Sequence, residues 1–193
     1  MRYKALDFCG TCGKLDYHNK VLPDIHIYKR PAWMLIGEAP GEEEAKTGIP
    51  FVGRSGKLLR KTIQEVGIDS YIITNVLKCR PPNNRTPEKE EIKNCFFFLE
   101  IEMDVFRPEF IVCVGAVASQ TMCEYIGKKW SPKYRGKAFK LNKENPFPLV
   151  FFAYHPSYIL RTGRQEKYLK DWQKIVDFGI RYYNKVKNDS SNN

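Results

Sequence analysis

Ala32-Trp33-Met34-Leu35-Ile36-Gly37-Glu38-Ala39-Pro40-Gly41 is the stretch on which the fold turns. An unbroken apolar run ends in a glycine-rich turn, the pattern of a short strand buried on both faces. The pattern recurs outward from it. Tyr71–Thr74 ends at Asn75, Phe110–Val114 at Gly115, and Leu149–Ala153 at Tyr154 and His155. Helical periodicity fills the intervals. Ser55–Val66 carries Leu58, Leu59, Ile63 and Val66. A second helix is predicted with Thr86 as N-cap and Pro87 at its first position, and with Ile92, Cys95, Leu99 and Met103 on one face. Ala116–Ile126 is a third, and about Gln165 to Lys185 is the last. Strands alternating with helices predict right-handed crossovers and a parallel sheet. Ligands of such sheets bind beyond the carboxyl ends of the strands. Gly37–Gly41, Asn75 and His155 should therefore converge at one end.

Composition sets the outer limits. The chain has 193 residues, 42% hydrophobic and 13% aromatic, and a net charge of +10. That length fits one domain, expected over residues 1–186, with a polar tail over 187–193. The chain is too apolar for disorder, and it holds no apolar run of membrane-spanning length. Met1–Gly10 lacks the apolar stretch of an export signal, which predicts an intracellular protein. The positive charge suits a polyanionic partner, nucleic acid first, or serves solubility alone.

Six cysteines, Cys9, Cys12, Cys79, Cys95, Cys113 and Cys123, then read as ligands or buried thiols rather than disulfides. Cys9-Gly10-Thr11-Cys12 is a C-x2-C knuckle, with Cys79 and Cys95 as further thiols. Four thiolates hold zinc or an iron–sulfur cluster, and the lack of a second knuckle leans toward the cluster. Burial accounts for Cys113 and Cys123.

Gly37–Gly41 is neither a P-loop nor a dinucleotide fingerprint. Its glycines allow close approach of backbone to a ligand. Glu42 and Glu43 read as a solvated charge run. Phe51, between Pro50 and Val52, is either core or a stacking platform for a base. His155-Pro156-Ser157-Tyr158-Ile159-Leu160-Arg161 presents a histidine at a strand end. Ile159 and Leu160 on that loop are either an apolar wedge that opens a duplex or an anchor for the loop.

Taken together, Gly37–Gly41 with Glu44, Pro50–Gly56, Asn75, the cysteine quartet and His155–Arg161 resemble the family 4 uracil-DNA glycosylases, the iron–sulfur branch of their superfamily. The likeness runs from Cys9 to about Arg161. The segment Asn75-Val76-Leu77-Lys78-Cys79-Arg80-Pro81-Pro82-Asn83-Asn84-Arg85-Thr86-Pro87 is close to the family's own, with Asn83 where glycine is common. The resemblance implies a three-layer α/β/α sandwich around a four-stranded parallel sheet. It implies a 4Fe–4S cluster on Cys9, Cys12, Cys79 and Cys95. It implies a monomer that acts on single- or double-stranded DNA containing uracil; the expected location is intracellular, with DNA, and cytoplasmic if the source is prokaryotic or viral.

The implied chemistry is hydrolysis of the N-glycosidic bond of a flipped deoxyuridine. Phe51 would stack on uracil, Asn75 would read its edge, and Ala39 and Glu44 would complete the pocket. His155 would stabilise charge on O2. Ala39 stands where the best-known branch has a water-positioning Asp, which leaves Glu38 as the nearest carboxylate. Arg54, Ser55 and Lys57, then Arg80, Asn84 and Arg85, and finally Ser157 and Ile159–Arg161 would face DNA. Asn84–Pro87 contains no histidine for a covalent adduct. Two other classes stay open: a DNA-binding or polymerase-accessory domain that keeps the fold without the activity, and a small-molecule enzyme with a zinc knuckle.

Overall fold

The computed structural model describes residues 20–142 and 144–191. Its centre is a six-stranded sheet. The strands are β1 (Asp24–His26), β2 (Trp33–Gly37), β3 (Tyr71–Asn75), β4 (Phe110–Val114), β5 (Phe139–Lys140) and β6 (Leu149–Ala153). Their order is β1-β3-β2-β4-β6-β5. The inner four, β3-β2-β4-β6, are parallel and are the strands the sequence predicts. The expected count of four is corrected to six by the antiparallel edges β1 and β5. These have three and two residues, too few for an alternation to register.

Among the described residues six α-helices cover the sheet: α1 (Glu42–Thr47), α2 (Arg54–Glu65), α3 (Lys89–Phe106), α4 (Ala116–Tyr125), α5 (Pro156–Thr162) and α6 (Gln165–Ser191). Alternation along the strands makes two cores. Met34, Ile36, Ile111 and Phe152 face Leu99 and Met103 of α3 and Met122 of α4. Trp33, Leu35, Val112 and Phe151 face Leu59 and Ile63 of α2 and Trp172 of α6. Every residue of β2, β4 and β6 is buried, as parallel strands between two helix layers must be. α6 lies so close that a Cβ on Gly179 would come within 2.8 Å of the Trp33 ring.

Helix ends differ from expectation in three places. α3 starts at Lys89 with Glu88 as N-cap, not at Pro87 with Thr86. The Glu91 carboxylate accepts the Glu88 N–H at 2.8 Å, closing a capping box that outcompetes threonine. α6 continues to Ser191, so residues 187–191 of the expected polar tail are helical and exposed. Pro156–Thr162, expected as a loop, is helix α5. No helix among the described residues is long and apolar enough to cross a membrane.

Candidate active site

The carboxyl ends of β2, β3, β4 and β6 open into one cleft of about 870 Å³. Glu38 and Ala39 follow β2, Asn75 ends β3, Gly115 follows β4, and His155 follows β6, and all of them line it. The amino ends of α2, α4 and α5 meet there, bringing Gly53, Gly115 and His155 as N-caps. Helix N-termini carry partial positive charge and free N–H groups, so the cleft favours anions.

The floor of the cleft is built by close approach. The N–H groups of Val76 and Leu77 donate to the carbonyls of Gly37 and Glu38 at 2.9 and 3.0 Å, zipping the two loops together. A Cβ on Gly37 would lie 2.3 Å from Asn75 Oδ1 and 2.5 Å from Phe51 Cζ. Glycine is thus required where amide and ring flank the strand end. Phe51 is 6% exposed and has φ of 56°, a strained value for a bulky residue. Arg60 holds it there. Its Nε donates to the Phe51 carbonyl at 2.9 Å, and its Nη2 donates to the Pro50 carbonyl and to Asp24, each at 2.7 Å. Sequence reading did not single out Arg60, because its function is visible only in what it grips.

Asn75 is 4% exposed, yet its side-chain amide makes no hydrogen bond to any of the described residues. Beneath it lies a buried ion pair. Lys78 Nζ sits 2.7 Å from Glu102 Oε1, donates to Thr74 Oγ1 at 2.8 Å, and donates to the Asn75 carbonyl at 2.8 Å. Thr74 in turn donates to Glu102 Oε2 at 2.8 Å. The main chain of Asn75 is therefore fixed while its amide stays free.

Glu44 binds protein on both oxygens. It accepts the Gly41 N–H at 3.1 Å and the Val52 and Gly53 N–H groups at 2.9 Å each. It ties the turn after β2 to the Phe51 loop. The Glu38 carboxylate has no hydrogen-bond partner among the described residues, and burial raises its pKa. Glu42 is exposed and pairs with Lys46 and Arg80, a solvated charge as expected.

His155 Nδ1 accepts the Ser157 N–H at 3.1 Å and lies 2.8 Å from Ser157 Oγ. An acceptor Nδ1 assigns the proton to Nε2 in the neutral ring. Burial, aided by the Arg161 cation and opposed by Glu44, pulls its pKa from 6.5 down to about 4. The ring is thus neutral over the physiological range, with a donor left free.

The residues expected to face DNA divide. Arg54, Ser55, Asn84, Arg85, Ser157 and Arg161 line the cleft, whereas Lys57, Arg80 and Leu160 do not. Ile159 is 2% exposed within the core, so the wedge is corrected to the anchor: helix α5 turns that face inward. Leu160 stands on the same helix, not on a loop. Arg85 is engaged by Glu91 on both terminal guanidinium nitrogens, and Arg80 by Asn84 and Glu42. Asn83 has φ of 53°, a left-handed conformation that asparagine adopts more readily than most residues. Arg135, Tyr154 and Tyr158 also line the cleft, and nothing in the local sequence marked them.

Cys9 and Cys12 lie outside the described residues, and no group of three or more metal-ligating side chains occurs among the rest. Cys79 and Cys95 fit half of a four-thiolate set. Cys95 Sγ accepts the Lys78 N–H at 3.2 Å, and both cysteines pack in the α3-side core. Cys113 and Cys123 are fully buried in that core, and burial pushes the Cys113 thiol well up, away from the thiolate a metal needs.

Comparison with known proteins agrees with this architecture. Residues 26–176 match the family model of the uracil DNA glycosylase superfamily. The chain is 38% identical over 178 residues to a type-4 uracil-DNA glycosylase of Sulfurisphaera tokodaii, covering 89% of this chain and 80% of that one. It is 43% identical over 152 residues to the type-4 enzyme of Thermotoga maritima, covering 75% and 76%. For the type-4 enzyme of Saccharolobus solfataricus the identity is 40% over 175 residues, covering 88% and 81%. With a cleft built where those sheets bind ligands and a match across nearly all of its length, the chain belongs to the type-4 uracil-DNA glycosylases of the uracil DNA glycosylase superfamily.

Proposed function

We propose that this chain flips deoxyuridine out of DNA and hydrolyses its N-glycosidic bond, leaving uracil and an abasic site. The observation that carries the reading is the Asn75 amide, buried at the cleft floor with donors and acceptor unused by the described residues. A buried amide left unpaired costs about 1–3 kcal/mol, so it calls for a ligand with the matching edge. Uracil offers N3–H to the amide oxygen and O4 to the amide N–H. Phe51, held by Arg60, provides the stacking face. Glu44 acts through the loops it ties, closing the side of the pocket against a 5-methyl group. Ala39 leaves room there.

As the bond breaks, charge develops on uracil O2. His155, neutral and protonated at Nε2, donates to that oxygen without placing a second cation beside Arg161. Glu38, unpaired and with a raised pKa, positions the attacking water and takes its proton. Cys9, Cys12, Cys79 and Cys95 hold a 4Fe–4S cluster, which when bound supplies a rigid cross-link between segments distant in sequence.

Asn75→Asp tests the recognition step. It exchanges an N–H donor for an acceptor facing O4. Single-turnover cleavage of a deoxyuridine oligonucleotide should fall at least about 100-fold, with the fold and DNA binding kept. Undiminished uracil release by this variant would remove Asn75 as the reader.

A further inference from the structure

Resting on that reading and deepening it, we propose that Arg135 is a DNA-contact residue that holds a backbone phosphodiester beside the flipped nucleotide. Its guanidinium lies 4.2 Å from the Tyr154 ring centroid and 5.4 Å from that of Trp130. Both rings are fixed. Trp130 packs on buried Phe152 at 5.0 Å, and Tyr154 stacks on Tyr158 at 5.1 Å and 15°. The segment carrying Arg135 is tied to β6 by the Gly136 N–H, which donates to the Phe152 carbonyl at 3.3 Å. Arg135 is thus a preset cation at the cleft wall.

What it lacks is an anion. Arg80 and Arg85, the arginines the sequence offered for phosphate, already have carboxylate partners. Arg135 has none among the described residues, and its Nε is buried without a hydrogen-bond partner. A half-buried guanidinium with stacked faces keeps its edge for a planar, two-pronged acceptor. In a cleft that admits DNA, that acceptor is a phosphodiester. Uracil offers no such group, and the Asn75 amide already matches its edge.

The test uses the full chain and its Arg135→Gln and Arg135→Lys variants. Binding to a duplex carrying non-cleavable 2′-fluoro-deoxyuridine is measured across a range of salt. Arg135→Gln should weaken binding about ten- to hundredfold. It should also flatten the log–log salt slope by about 0.9, one phosphate's worth. Arg135→Lys should keep the slope and lose part of the affinity. On a cleavable U·G duplex, Arg135→Gln should raise KM and leave the single-turnover rate at saturation unchanged. An unchanged slope, or a fall confined to the saturated rate, overturns the proposal. Should Arg135→Gln not fold, phenylglyoxal labelling of the wild-type chain decides, because bound duplex should protect Arg135 and undiminished labelling overturns it. Failure of the wild type to release uracil would sink the parent reading alone, since the salt slope is read from binding.

Discussion

His155 shows how one residue's surroundings choose its chemistry. Its Nδ1 is occupied by Ser157 and its pKa is pulled to about 4, so the ring acts as a neutral donor. A histidine buried neutral also ties stability to pH. The unfolded chain takes up a proton near pH 6.5 that the native ring refuses until about 4. Its contribution is therefore full above pH 6.5 and lost as pH falls toward 4, to a total of about 3 kcal/mol. Two outcomes follow. The single-turnover rate should show no inflection near pH 6.5 that depends on His155; one present in the wild type and absent from His155→Ala would mean imidazolium takes part. His155→Ala should cleave about 10²–10³-fold more slowly at saturating enzyme while binding DNA normally. At this scale the sequence was most legible where a residue ends a strand, as with Asn75 and His155. It was silent on Arg60 and Arg135, whose roles lie in what they grip in space, the Phe51 carbonyl and the Tyr154 ring.

Among elements, α3 does more than cover the sheet. It places Glu102 against Lys78, both at most 1% exposed, directly under the Asn75 main chain. Lys78→Met would strand the Glu102 carboxylate in the core and should cost about 3–5 kcal/mol, read as a lowered denaturation midpoint. Lys78→Met combined with Glu102→Leu should regain most of that loss, because the buried charge is gone. Recovered stability without recovered uracil cleavage would separate the positioning of Asn75 from folding. The four inner strands were readable because burial on both faces leaves β2, β4 and β6 without a polar side chain, and β3 with none before Thr74. The start of α3 was not, since a glutamate capping box and a threonine N-cap both fit the local sequence, and the side-chain geometry of Glu91 decided between them. Ile159 was misplaced for a related reason. An apolar pair after a proline reads equally as wedge or anchor until the helix that carries it is known.

For the molecule as a whole, the net charge of +10 and the helix N-termini gathered at the cleft make DNA affinity an electrostatic matter. Affinity should drop steeply with salt, by about 0.9 in log–log slope for each phosphate neutralised; a flat dependence would detach the charge from nucleic acid. The proposed cluster would draw its four ligands from residues 9 to 95, tying together segments far apart in the chain. Purified protein should contain about four irons and absorb near 400 nm. Cys95→Ala should lose both, whereas Cys123→Ala, in the core, should keep them. The central claim concerns the intact chain and one bond. Incubated in excess with otherwise identical oligonucleotides bearing deoxyuridine, thymidine or deoxycytidine at one position, it should release free uracil from the first alone and leave an alkali-labile abasic site there. Intact deoxyuridine strands after a full single-turnover time course, or release of thymine at a comparable rate, would contradict it.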